Sequence, residues 1–193
     1  MRNTISLVLL LAFAICFIGC GGSKPLVETK ASPIPEWFSN TPQDPNFLYA
    51  AQTATSRDLG LAIDKAVTRA RAEIARQFEV KVQGLTKSFQ EEVGSSEDSE
   101  INETFSQTIR TVVSSQLMGS RASKTTHVKD GNNYRAYVLV EYPIGAANQA
   151  FMNALKANQN MYTRFRASEA FKEMDDEVKK YEEWKKEQAA KRP

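Results

Sequence analysis

The chain has 193 residues, with 25 Lys and Arg against 23 Asp and Glu and a single histidine. That length fits one domain with an appendage. The near-neutral balance argues against a nucleic-acid footprint, which needs clustered excess base. The only cysteines, Cys16 and Cys20, lie in residues 1–20, so the rest of the chain has no thiol for a disulfide or a thiolate metal site.

The N-terminus sets the first boundary. Arg2 gives a positive start, Ile5 to Ile18 is apolar apart from Ser6, and small Gly19 precedes Cys20. This three-part layout predicts an export signal over residues 1–19. The alternative is a membrane anchor, but the apolar run falls short of the about 20 residues a span needs. Phe17-Ile18-Gly19-Cys20 resembles the bacterial lipoprotein signal, with Phe17 where leucine is more usual. That resemblance implies that Cys20 becomes the mature N-terminus, carrying diacylglycerol on its sulfur and a fatty acyl chain, such as palmitate, on its amino group. Two or more acyl chains hold a protein stably at a bilayer, where one holds it marginally.

Residues 20–46 read as a tether, rich in Pro, Ser, Gly and Asn and without a sustained period. Trp37 and Phe38 interrupt it, either as a latch on the domain or as exposed contacts for lipid or a partner. A domain is predicted over residues 47–150. FLYAAQTA, residues 47–54, reads as a strand. Thr55 with Asp58 reads as a capping box, and Leu59, Ile63, Ala66, Val67, Ala70 and Ile74 recur at helical spacing to about Gln77. Phe78, Val80 and Val82 then alternate with polar residues, which predicts a second strand running on towards Glu92.

Residues 99–117 fit either period. Their length favours a helix, although Thr104, Thr108 and Thr111 are weak helix formers. Ser120–Lys129 and Tyr134–Tyr142 flank Asp130-Gly131-Asn132-Asn133, a hairpin signal. The second of these strands is apolar enough to be central. From Ile144 on, everything reads as helix. The charged half of residues 151–193 is predicted to be a solvated helical extension supported by its own ion pairs. The alternative is a partner or self-association helix presenting Phe171, Met174, Val178, Tyr181 and Trp184. The predicted order is β-α-β-α-β-β-α. It makes a two-layer α+β domain, with a mixed or antiparallel sheet covered by helices and a long C-terminal helix.

PEWF before a Pro/Asp loop, LYAAQTATSRDLGLAIDKAVTRARAEIARQ and YRAYVLVEYP together resemble the bacterial twenty-kilodalton outer-membrane lipoproteins, the LPP-twenty family. The aromatic-Ala strand and the helix with Asp64, Lys65 and Ala66 are the most specific parts. The resemblance implies a domain akin to the N-terminal domain of flagellar assembly protein T. It also implies an outer-membrane envelope protein, facing periplasm or cell surface, without known catalysis. No site residue carries over except Cys20.

The chain offers little chemistry of its own. His127 has no evident orienting partner for acid–base work, and one histidine does not make a zinc site. DGNNYRAYVLVE echoes a calcium loop but has Arg135 where the sharp-turn glycine belongs. Asp175, Asp176 and Glu177 are consecutive and point around a helix. Arg69, Arg71 and Arg76 either pair with nearby acids or form a basic patch for anionic lipid or wall polymer. The expectation is a non-enzymatic envelope lipoprotein with no cofactor and no metal, contacting other envelope proteins. The alternative is an accessory factor in flagellar or other envelope-complex assembly.

Overall fold

The computed structural model describes residues 34–94, 98–116 and 120–191. The signal over 1–19, Cys20 and the tether up to residue 33 lie outside the described residues. In chain order the elements are α1 (Glu36–Ser39), β1 (Phe47–Ser56), α2 (Leu59–Glu92), α3 (Ser99–Gln116), β2 (Arg121–Asp130), β3 (Asn133–Pro143), α4 (Ile144–Leu155), α5 (Gln159–Arg166) and α6 (Glu169–Ala190). The class is the expected α+β, with an antiparallel sheet, helices over it and a helical C-terminus.

The sheet order is β1-β3-β2, so β3 is central, as its composition predicts. Ala136 to Val140 are all buried, which means that both faces of β3 are covered. The β2–β3 hairpin turns at Gly131 and Asn132. Gly131 sits at φ 58°, which suits a turn with glycine at its first central position. Phe38 of α1 meets Tyr137 edge-on at 5.0 Å, so the latch reading holds for this residue. The free edge of β1 is closed by α2: Gln77 Nε2 donates to the Tyr49 carbonyl at 3.0 Å and Arg69 Nη1 to that of Thr53 at 2.8 Å.

The strand predicted after Phe78 is not there. One 34-residue helix, α2, runs through it. Ala62, Ala66, Ala70, Ile74, Phe78, Val82, Leu85 and Phe89 are buried in a single stripe of helical spacing, while Val80 is 62% exposed. The apparent alternation arose because outward-facing Val80 is β-branched and apolar. The helix start also differs from the expected capping box. Thr55 belongs to β1, and Asp58 alone is the N-cap, its Oδ1 accepting from the Leu61 amide at 2.7 Å. In α3 the helical period wins: Ile101, Phe105, Ile109 and Val112 face inward, and Asp98 Oδ1 accepts from the Glu100 and Ile101 amides.

The C-terminal region is three successive helices, of which α6 is the expected long C-terminal one. Asn158 caps α5 through the Met161 amide, and Ser168 caps α6 through the Phe171 amide, each at 3.1 Å. The apolar first half of residues 151–193 is core, and burial continues into the charged half at Met174 and Val178. Phe151, Leu155, Met161, Phe165, Ala170, Met174 and Val178 belong to the same core as Ala66 and Phe78. Phe105 is the centre of a ring cluster, stacked on Phe89 at 5.9 Å and edge-on to Phe151 at 5.4 Å and Phe165 at 5.2 Å. Gly145 is required where α4 crosses α6, since a Cβ there would collide with the Glu177 carbonyl and the Tyr181 side chain. Beside this crossing Glu177 turns inward, accepting from Asn148 Nδ2 and pairing with Lys81 at 2.9 Å. The expected solvated face therefore holds for Asp175 and Asp176, which both pair with Lys179, and not for Glu177.

Candidate docking groove beside Trp184

The start of β1 and the last turns of α6 form an aromatic shelf. The loop before β1 is fixed by Asp44, whose Oδ1 accepts from the backbone and side-chain nitrogens of Asn46 at 2.8 and 2.9 Å. The Asn46 carbonyl in turn accepts from the Ile144 amide at 2.9 Å, tying this loop to the start of α4. Phe47 then meets the Trp184 indole edge-on at 5.7 Å, and Trp184 stacks on Tyr181, one helical turn back, at 5.9 Å. Trp184 remains 38% exposed.

Two cavities share this shelf. One, of about 420 Å³, is walled by Asp44, Gly145, Lys180, Glu183 and Glu187 besides the aromatic trio. The other, of about 370 Å³, is walled by Tyr142, Pro143, Ala146 and the Arg121–Glu141 pair. The first carries excess negative charge. Among the described residues Lys180 is the one cation lining it, against Asp44, Glu177, Glu183 and Glu187. Glu177 is neutralised by Lys81, but Glu183 and Glu187 have no salt-bridge partner among the described residues. The shelf already attracts one cation of its own chain, Lys185 Nζ, 5.2 Å from the centre of the Tyr181 ring. Burial pushes the Tyr142 hydroxyl above its usual value, and nearby Tyr181 adds to the shift. Tyr49 is raised as well, by burial first and then by Asp44 and Glu141.

Of the residues expected to meet a partner, the core takes Met174 and Val178, at 0% and 9% exposed. Phe171 is half-buried against Tyr162 and Phe165. Tyr181 and Trp184 do reach the surface, and they reach it together. Phe47, Asp44, Glu183 and Glu187 were missed, because the pattern around Phe47 shows only a strand and that around Glu183 only a charged helix. The basic-patch reading fails: Arg69 serves the β1 edge, Arg71 donates to Ser120 Oγ at 3.0 Å, and Arg76 pairs with Glu73. His127 is exposed on β2 near Tyr134. No group of three or more His, Cys, Asp or Glu among the described residues is arranged to hold a metal ion.

The model of the LPP20 lipoprotein family matches residues 35–142. This chain belongs to the LPP20 lipoprotein family. The match runs from the residue before α1 to the penultimate residue of β3, and so takes in the whole sheet with α2 and α3. The groove of this LPP20 lipoprotein straddles the match: Phe47 lies within it, whereas Tyr181 and Trp184 lie on α6, beyond it. Membership associates the chain with the bacterial envelope. Among the described residues no helix is long and apolar enough to cross a membrane. A search of curated proteins finds no match.

Proposed function

We propose that this LPP20 lipoprotein is a non-catalytic binding component of the bacterial outer membrane, anchored by lipid on Cys20 and contacting other envelope proteins through its folded domain. The observation that carries this reading is the position of the family match. It begins at residue 35, inside the Pro- and Ser-rich stretch that follows a lipobox-like Phe17-Ile18-Gly19-Cys20. Chain order is thus signal, anchor, spacer and domain. Two acyl chains or more at Cys20 supply stable attachment without a spanning helix.

A binding role is supported by how the polar side chains are used. Glu169, Asp175, Asp176 and Glu182 of α6 pair with lysines one turn away, Glu177 braces the helix crossing, and His127 is exposed on an outer strand beside Tyr134. The exposed aromatic shelf, flanked by two cavities, is the feature suited to holding another molecule.

Growth with labelled palmitate tests the anchor. The wild-type chain is expected to take up label and to sediment with outer membranes, while Cys20→Ala takes up none and keeps its first 19 residues. An unlabelled wild-type chain, or equal labelling of the variant, refutes the anchor.

A further inference from the structure

We infer that the groove beside Trp184 docks an extended, basic segment of a partner protein, with a lysine or arginine on the acidic side of the indole and an apolar side chain on the other. The inference deepens the binding role proposed above and rests on it.

The charge argument comes first. Asp44, Glu183 and Glu187 converge on one cavity in which, among the described residues, Lys180 is the only opposing cation once Glu177 has been taken by Lys81. A lysine or arginine entering there finds two carboxylates without salt-bridge partners and, beside them, the exposed part of an indole. Carboxylates and an aromatic face attract a cation by separate mechanisms, the second through the ring quadrupole. Lys185 over Tyr181 shows the same attraction within the chain.

The shape argument selects an extended segment. Phe47, Tyr181 and Trp184 line both cavities, so the two sites adjoin along one aromatic ridge. Side chains of an extended chain alternate, and residues two apart project the same way along its length. The second cavity suits an apolar side chain, because Tyr142, Pro143 and Ala146 line it and its charges, Arg121 and Glu141, already neutralise each other. The pattern sought is therefore a basic residue and an apolar one two positions apart.

The test uses the full chain in detergent and a fluorescein-labelled peptide of Lys-Ser-Leu repeats, read by fluorescence anisotropy. Binding is expected to weaken by about tenfold in Trp184→Ala, the loss of one cation–π contact. It is expected to weaken similarly in Glu183→Gln/Glu187→Gln, and to fall as salt rises. The double variant alters no buried side chain, so its loss of binding cannot come from a failure to fold. No binding, equal binding of a Glu-Ser-Leu peptide, or binding untouched by these substitutions overturns the inference. Chain self-association through Trp184 that displaces the peptide also overturns it. Palmitate labelling fails or succeeds separately, since it reads Cys20 and not the groove.

Discussion

Along the first three turns of α2 the buried residues are Ala62, Ala66 and Ala70, set against β1 and β3; from Ile74 on, the buried apolar residues are the larger Ile74, Phe78, Val82, Leu85 and Phe89, the last of them set among the other helices. One helix thus serves two kinds of core. On the sheet side, small side chains let the helix backbone approach the strands, and the sheet supplies the bulk through Val138, Val140 and Tyr142. On the helical side no strand is present to fill the space, and phenylalanines from four helices fill it. The family match covers the whole sheet side but stops before Phe151, Met161, Phe165 and Met174, which supply much of the helical side. Residues read as an extension are therefore half of a core.

The largest effect is expected where that filling is removed. Phe105 is 1% exposed and touches three other rings, so Phe105→Ala should cost about 3–5 kcal/mol in urea unfolding. A cost below about 1 kcal/mol would mean that the ring cluster is loosely packed and that the contrast between the two halves is false. On the sheet side the sensitive change runs the other way. Ala66 is wholly buried, and Ala66→Leu should cost about 1–3 kcal/mol by forcing α2 off β1 and β3. If the same protocol shows it to be neutral, close approach is not what holds that side together.

The smallest effect marks where neither core reaches. Gly84 is exposed in the middle of α2, and a Cβ there meets nothing within 4 Å. Gly84→Ala should stabilise by about 0.5–1 kcal/mol through lower unfolded-state entropy and better helix propensity. Destabilisation in thermal melts would indicate that α2 is bent or contacted at this point.

Much of the fold was legible because it is locally encoded. The Asp-Gly-Asn-Asn turn, the glycine it needs, the apolar run of β3 and the length of α3 are all set by neighbours in sequence. The strand assigned after Phe78 failed for a reason that is also physical. Val80 and Val82 prefer strands, and three alternating positions cannot tell period two from the edge of a helical stripe. Only the continuation through Leu85 and Phe89 decides it. The candidate groove was half legible. Tyr181 and Trp184 stood out as aromatic residues on a charged helix, but nothing near Phe47 or Asp44 points to α6.

The sequence by itself determined the class, the hairpin, the family and the helical character of the chain after Pro143, because each depends on residue type and spacing over a few turns. The tertiary structure decided which face of each helix is core. It withdrew Met174 and Val178 from the surface, turned Glu177 inward to Lys81 and Asn148, and brought Phe47 to Trp184. Those outcomes depend on chain segments that meet only when the domain closes, and burial there is set by the facing element and not by the residue's own neighbours.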